Sequence, residues 1–135
     1  MKNALVTGIT GQDGHHLTKL LLEKNYTVTG LVNGQRNSRE ESFVKLFPQV
    51  KLMQGDLTDF ASLLQIIEES QPAEIYNLGA ISFVGLSFKQ PELTANVTGL
   101  GVLRLLEAVR KSGGEKGVRF YQASSSEMFG KVRQT

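Results

Sequence analysis

Three glycines set the terms for this chain. Gly8, Gly11 and Gly14 stand at G-x-x-G-x-x-G spacing in Gly8-Ile9-Thr10-Gly11-Gln12-Asp13-Gly14. An apolar run, Asn3–Thr7, leads into them. A stretch carrying Leu17, Leu20, Leu21 and Leu22 follows, to Lys24. The first reads as a strand and the second as the apolar face of a helix. Glycine tolerates positive φ and lets backbone approach a ligand closely. A helix N-terminus behind it offers unpaired N–H groups to an anion. The junction therefore reads as a pyrophosphate cradle in a strand–turn–helix unit, the plainer alternative being a turn that only permits tight packing. A Walker-type phosphate loop is excluded. The one Gly-Lys pair, Gly130-Lys131, precedes Val132 and lacks the upstream glycine.

The rest of the chain repeats the alternation. Tyr26–Val32, Val50–Met53, Glu74–Leu78 and Val118–Ala123 read as strands. Helices are expected over Phe60–Glu69, with Thr58 as its N-cap, and as one long element over Glu92–Arg110, stopped by Ser112-Gly113-Gly114. The polar stretch Asn33–Glu41 reads as a surface loop. Alternating strands and helices argue an α/β fold, a doubly wound parallel sheet of Rossmann type with helices on both faces. Ligands of such sheets bind beyond the carboxyl ends of the strands, at the switch point.

Composition narrows the function classes. At 135 residues the chain has the length of about one domain. It contains no cysteine, which removes disulfides, thiolate metal sites and thiol nucleophiles. Met1 to Gly8 has no long apolar stretch of signal-peptide type, and no apolar run reaches membrane-spanning length. A cytoplasmic protein with no membrane partner is expected. The net charge is only +2. Residues 104–135 carry seven Lys or Arg against three Glu, scattered and without an aromatic platform. No nucleic-acid partner is expected.

Several side chains are candidates for a dinucleotide site. The usual carboxylate for ribose hydroxyls follows the second strand, about 20 residues past the glycines. Here Leu31-Val32-Asn33-Gly34-Gln35-Arg36 follows, and the first acid is Glu40. Arg36 or Arg39 suits a 2′-phosphate instead, which favours NADP, with NAD the alternative. Asp56 in Gly55-Asp56-Leu57 can hold the adenine amino group, or equally serve as a turn or capping aspartate.

Taken in order, the glycine turn, Gly55-Asp56-Leu57-Thr58-Asp59, Asn77-Leu78-Gly79-Ala80, Asn96-Val97-Thr98-Gly99 and Ser124-Ser125-Ser126-Glu127 resemble the extended short-chain dehydrogenase/reductase family. Gly11-Gln12-Asp13-Gly14, the stretch from Asn77 to Phe88 and Gln122 to Gly130 resemble its GDP-mannose 4,6-dehydratase branch. The resemblance implies a redox-neutral lyase that converts GDP-mannose to GDP-4-keto-6-deoxy-mannose with NADP and commonly forms homo-oligomers. It implies that Gly8, Thr10, Gly11, Gln12, Asp13 and Gly14 cradle the pyrophosphate, and that Asp56 and Leu57 flank the adenine. Leu78, Gly79, Ala80 and Ser82 would line the far side of the cofactor. Ser125 would hold the C4 oxygen and Glu127 would act as the C5 base. The chain departs from the family in having Asn33-Gly34 where two arginines are usual, so Arg36 would serve from a shifted loop. It also has Leu93 for a tyrosine, and His15-His16, read as surface histidines, for Ser-Tyr. The family's Tyr-x-x-x-Lys pair is not formed by Tyr26, Tyr76 or Tyr121. Residues 1–135 are therefore expected to be the N-terminal, cofactor-binding part, inactive alone, with that pair and the substrate domain beyond it. A related nucleotide-sugar epimerase or reductase, or a non-catalytic dinucleotide-binding module, are the competing readings.

Overall fold

The computed structural model describes residues 1–80, 84–114, 117–125, 128, 130 and 131. Five strands form one sheet: β1 (Asn3–Thr7), β2 (Thr27–Val32), β3 (Lys51–Gln54), β4 (Glu74–Asn77) and β5 (Arg119–Gln122). Their order is β3-β2-β1-β4-β5, and every pairing is parallel. The helices are α1 (Gln12–Glu23), α2 (Ser38–Leu46), α3 (Phe60–Ser70), α4 (Val84–Lys89), α5 (Pro91–Thr94) and α6 (Leu100–Lys111). The doubly wound sheet expected from the sequence is the one observed.

Side-chain alternation along β1 explains why both faces are covered. Successive residues of a strand point to opposite faces. Leu5 points to one face, where it packs with Ile75, Leu63, Ile66 and Leu105 of β4, α3 and α6. Ala4 and Val6 point to the other, where Val28, Leu21 and Phe43 join them from β2, α1 and α2. A strand apolar on both faces is stable only when both are buried, and that requires helices on both sides.

Three sequence expectations are corrected. Asn33–Glu41 is not wholly loop, because α2 begins inside it at Ser38. Asn37 caps that helix by accepting the N–H groups of Arg39 and Glu40 at 3.0 and 3.1 Å. The fully buried Phe43 holds the helix down. Thr58 does not cap α3. Asp59 does, accepting from the N–H of Ala61 at 3.1 Å. The single helix over Glu92–Arg110 is instead α5, a π-helical turn at Ala95–Gly99, and α6. Arg104 accounts for the break. Its guanidinium donates to the carbonyl of Asn96 at 2.9 Å, to the Asn96 amide oxygen at 2.5 Å, and to the carbonyl of Leu57 at 3.0 Å. An inserted residue of this kind widens one turn and re-aims its carbonyls.

At the amino end of the sheet, Glu74 is almost wholly buried. It accepts the hydroxyls of Tyr76 at 2.7 Å and Tyr26 at 3.2 Å. Lys2 and Arg119 stand 3.9 Å away. The Tyr76 hydrogen bond, against the effect of burial, holds the Glu74 carboxyl below its usual value. Burial and the same hydrogen bond push Tyr76 up to about 12. The stabilisation from Glu74 is therefore complete above the unfolded carboxylate value and is lost as pH falls through the lower folded value. That from Tyr76 is complete below about 10 and is lost as pH rises towards about 12. Glu74→Gln should lower neutral-pH stability by about 1–3 kcal/mol and flatten the acid side of the denaturant-midpoint profile. An unchanged acid side would remove Glu74 as its origin.

Candidate functional site

The strand order places a crevice where the chain turns back. After β1 the chain moves outward through β2 and β3, then crosses to β4 on the other side of β1. The carboxyl ends of β1 and β4 thus diverge into loops that leave in opposite directions. Thr7 and Asn77 stand opposite each other at those ends. Both are buried. The Thr7 hydroxyl donates to the Asn77 amide oxygen at 2.5 Å and accepts the N–H of Gly79 at 2.9 Å. The Asn77 amide nitrogen donates onward to Gln122 on β5 at 2.8 Å.

The glycine turn sits directly on this network. Gly8 has φ +66°, in the left-handed region. A Cβ there would lie 2.8–2.9 Å from the backbone of Leu78 and Gly79. A Cβ at Gly14 would lie 2.1 Å from the carbonyl oxygen of Ile9. Neither position admits a side chain. Gly11 differs, since its Cβ would meet only the carbonyl of Gly8, at 3.3 Å. Gly11 is exposed and precedes α1 with no side-chain cap. The first N–H groups of α1 are left for an external acceptor. His15 steadies this end. Its Nδ1 donates to the carbonyl of Gly11 at 2.7 Å, and its ring packs edge-on against Phe43 and Phe47. That contact gives one of the two expected surface histidines a structural task.

Beside the turn lies a cavity of about 260 Å³. Thr7, Gly8 and Thr10 form one wall and Leu31, Val32, Asn33, Asn37 and Glu40 another. Asp56, Leu57, Gly79, Ala80 and Val97 complete it. A neighbouring hollow is bounded by Gly11, Gln12, His15, Ser38 and Arg39. Asp56 is committed on one oxygen. That oxygen accepts the N–H and hydroxyl of Thr58 at 2.8 and 2.7 Å. The capping-type and ligand-facing readings of Asp56 therefore coexist in one residue.

The sequence candidates divide accordingly. Gly8, Thr10, Asp56, Leu57, Gly79 and Ala80 line the cavity, while Gly11 and Gln12 line the hollow beside it. Asp13 is exposed in the first turn of α1, and Gly14 is buried under it. Leu78 packs against the core near Ile9 and does not line the cavity. Arg36 is exposed and lines neither hollow. Ser125 is exposed beyond the end of β5. Ser82 and Glu127 lie outside the described residues. The sequence reading missed Asn33, Asn37, Glu40 and Val97 as lining residues, and Arg104 as the clamp under Leu57. Signals were present for Glu40, as the first acid after β2, for Val97, within Asn96-Val97-Thr98-Gly99, and for Asn33, where the family has arginine, but none marked a lining residue. The steric contrast between the glycines is testable. Gly14→Ala should destabilise the fold by several kcal/mol through overpacking against backbone. Gly11→Val should fold normally by circular dichroism yet lose binding of a pyrophosphate ligand in calorimetry.

The profile of the family described as GDP-mannose 4,6 dehydratase matches residues 5–135. The GDP-mannose 4,6-dehydratase of Yersinia enterocolitica is 48% identical over 141 residues, which cover 99% of this chain and 38% of that protein. The GDP-mannose 4,6 dehydratase of Homo sapiens is 50% identical over 139 residues, covering 97% and 37%. The chain thus spans somewhat over a third of the length of the relatives it matches. A UDP-glucose-4-epimerase from Stenotrophomonas maltophila, solved with bound NAD and formylated UDP-arabinopyranose, shares the fold. Its TM-score is 0.81 at 22% identity, over 99% of this chain and 40% of that one. The Bordetella bronchiseptica enzyme WbmH in complex with NAD+ superposes with TM-score 0.76 at 27% identity, over 99% and 42%.

Proposed function

Because the chain belongs to the GDP-mannose 4,6-dehydratase family, we propose that it binds a nicotinamide dinucleotide at the β1–β4 crevice. We propose further that this site serves the dehydration of GDP-mannose to GDP-4-keto-6-deoxy-mannose. One observation carries the reading. The glycine turn is closed to side chains at Gly8 and Gly14, and opens outward at Gly11 in front of an uncapped helix N-terminus. That is the shape a pyrophosphate requires.

The proposed roles combine the family resemblance, which alone carries those of Ser125 and Glu127, with the lining of the crevice. Gly11, Gln12 and the first N–H groups of α1 receive the pyrophosphate. The β2 wall with Asp56 and Leu57 would hold the adenosine half. Gly79 and Ala80 would line the other half. A nicotinamide, when bound, would supply a reversible hydride acceptor for the hydrogen at sugar C4. Ser125 holds the C4 oxygen by hydrogen bonding as it becomes a carbonyl. Glu127 takes the C5 proton, made acidic by that carbonyl, and passes it to the C6 hydroxyl, which leaves as water. A carboxylate acts as general base only if its pKa suits the working pH. The C4 hydroxyl proton needs a separate base, and none of Tyr26, Tyr76 and Tyr121 has a lysine four residues on. The expectation of NADP rests on Arg36 or Arg39 and on the resemblance; Arg36 is exposed and lines neither hollow, while Arg39 lines the hollow beside Gly11.

The test is product analysis on the full-length protein with GDP-mannose. Formation of the 4-keto-6-deoxy sugar is expected. Glu127→Gln should lower turnover by about 100-fold or more while dinucleotide binding is unchanged. Retained turnover would take the base role from Glu127, and failure of the wild-type protein to form any keto sugar would overturn the reading.

A further inference from the structure

Glu40 is a carboxylate with no task inside the fold. Its relative exposure is 4%. Among the described residues, no hydrogen bond or ion pair reaches its side chain. It stands at the third position of α2, where a glutamate commonly reaches back to the capping residue's N–H. That bond is absent here. The cap is made in the other direction only, with the Asn37 side chain accepting from Arg39 and Glu40. Favourable interaction with the helix dipole does not require burial either, and the exposed Glu41 supplies it equally well. Buried acids are rare unless something pairs with them.

What Glu40 does face is the cavity. It lines the β2 wall together with Asn33 and Asn37. Among the described lining residues there are two carboxylates, Glu40 and Asp56, and no lysine or arginine. Asp56 already has a hydroxyl and an N–H on one oxygen. Arg39 is exposed in the neighbouring hollow, and Arg36 is exposed and lines neither. A cavity with this charge pattern suits neutral donors and repels anions. A ribose diol offers two hydroxyl donors. A 2′-phosphate would bring close to two negative charges against a buried carboxylate, with no cation in the wall to offset them.

We propose that Glu40 determines cofactor specificity: its carboxylate accepts the adenosine ribose hydroxyls and excludes a 2′-phosphate, so that the chain takes NAD(H) in preference to NADP(H). The proposal rests on the dinucleotide reading above and departs from the NADP expected from Arg36 or Arg39 and from the resemblance. A hydrogen bond to a charged group contributes about tenfold or more in affinity. Calorimetric titration of the full-length protein with NADH and NADPH should therefore show NADH the tighter ligand by about tenfold or more. Glu40→Gln, nearly equal in volume, should collapse that ratio, and Arg36→Ala should leave it unchanged. Should Glu40→Gln not fold, 2′-deoxy-NADH on the unaltered protein reads the same contact and should lose about tenfold against NADH. Wild-type preference for NADPH overturns the proposal but leaves the dinucleotide site standing. So does a ratio insensitive to Glu40→Gln, or equal binding of the deoxy analogue. Binding of neither NADH nor NADPH to the folded protein overturns the site and the proposal together.

Discussion

The hydrogen-bonded line from Thr7 through Asn77 to Gln122 joins the carboxyl ends of three neighbouring strands, β1, β4 and β5. It lies at the point where successive connections of the doubly wound sheet part. Buried polar side chains stabilise such a place only when each finds a partner. Thr7 uses its hydroxyl both as donor and as acceptor, and the bond it accepts from Gly79 draws the loop after β4 onto the glycine turn. The close approach at Gly8 follows from that bond. So does the shape of the cavity, since Thr7, Gly8 and Gly79 all belong to its wall.

The two ends of the sheet contrast in how they handle charge. At the amino end, Glu74 is surrounded by tyrosine hydroxyls and flanking cations, a closed arrangement with its donors supplied by the protein. At the carboxyl end, Glu40 is buried to a similar degree without donors. The first pattern is structural. The second leaves carboxylate oxygens open to the cavity, where a ligand can donate to them. The comparison between two buried glutamates of one small domain says more about Glu40 than its burial alone.

Much of this was legible in the residues. The glycine spacing, its place between strand and helix, and the alternation of elements led to the fold class and to the crevice. Thr7 and Asn77 were not readable as a pair, because they lie 70 positions apart and only strand order brings them together. The α2 helix was hidden by composition. Its sequence, Ser38–Leu46, is mostly polar, and a single deeply buried apolar residue, Phe43, holds it to the sheet. The π-helical turn was hidden for a different reason. The apolar spacing over Glu92–Arg110 fits one continuous helix, and the distortion comes from Arg104 reaching Leu57, 47 positions away. The helix cap was misplaced by one residue because Thr58 and Asp59 are both good capping residues, and Asp56 occupies the threonine. In each case a long-range or side-chain contact outweighed a local preference.

Leu57 belongs to two environments at once. Its side chain is part of the core between the sheet, α3 and α6, and it also forms part of the cavity wall. Its carbonyl is held by Arg104, and the backbone of α6 crosses it so closely that a Cβ at Gly101 would touch it at 3.2 Å. The cavity and the core therefore share a surface with no intervening layer. Filling one presses on the packing of the other. Occupancy of the site is then linked to the opening fluctuations of α3 and α6, and amide protons on the far side of those helices, remote from any ligand atom, become reporters of whether the crevice is full.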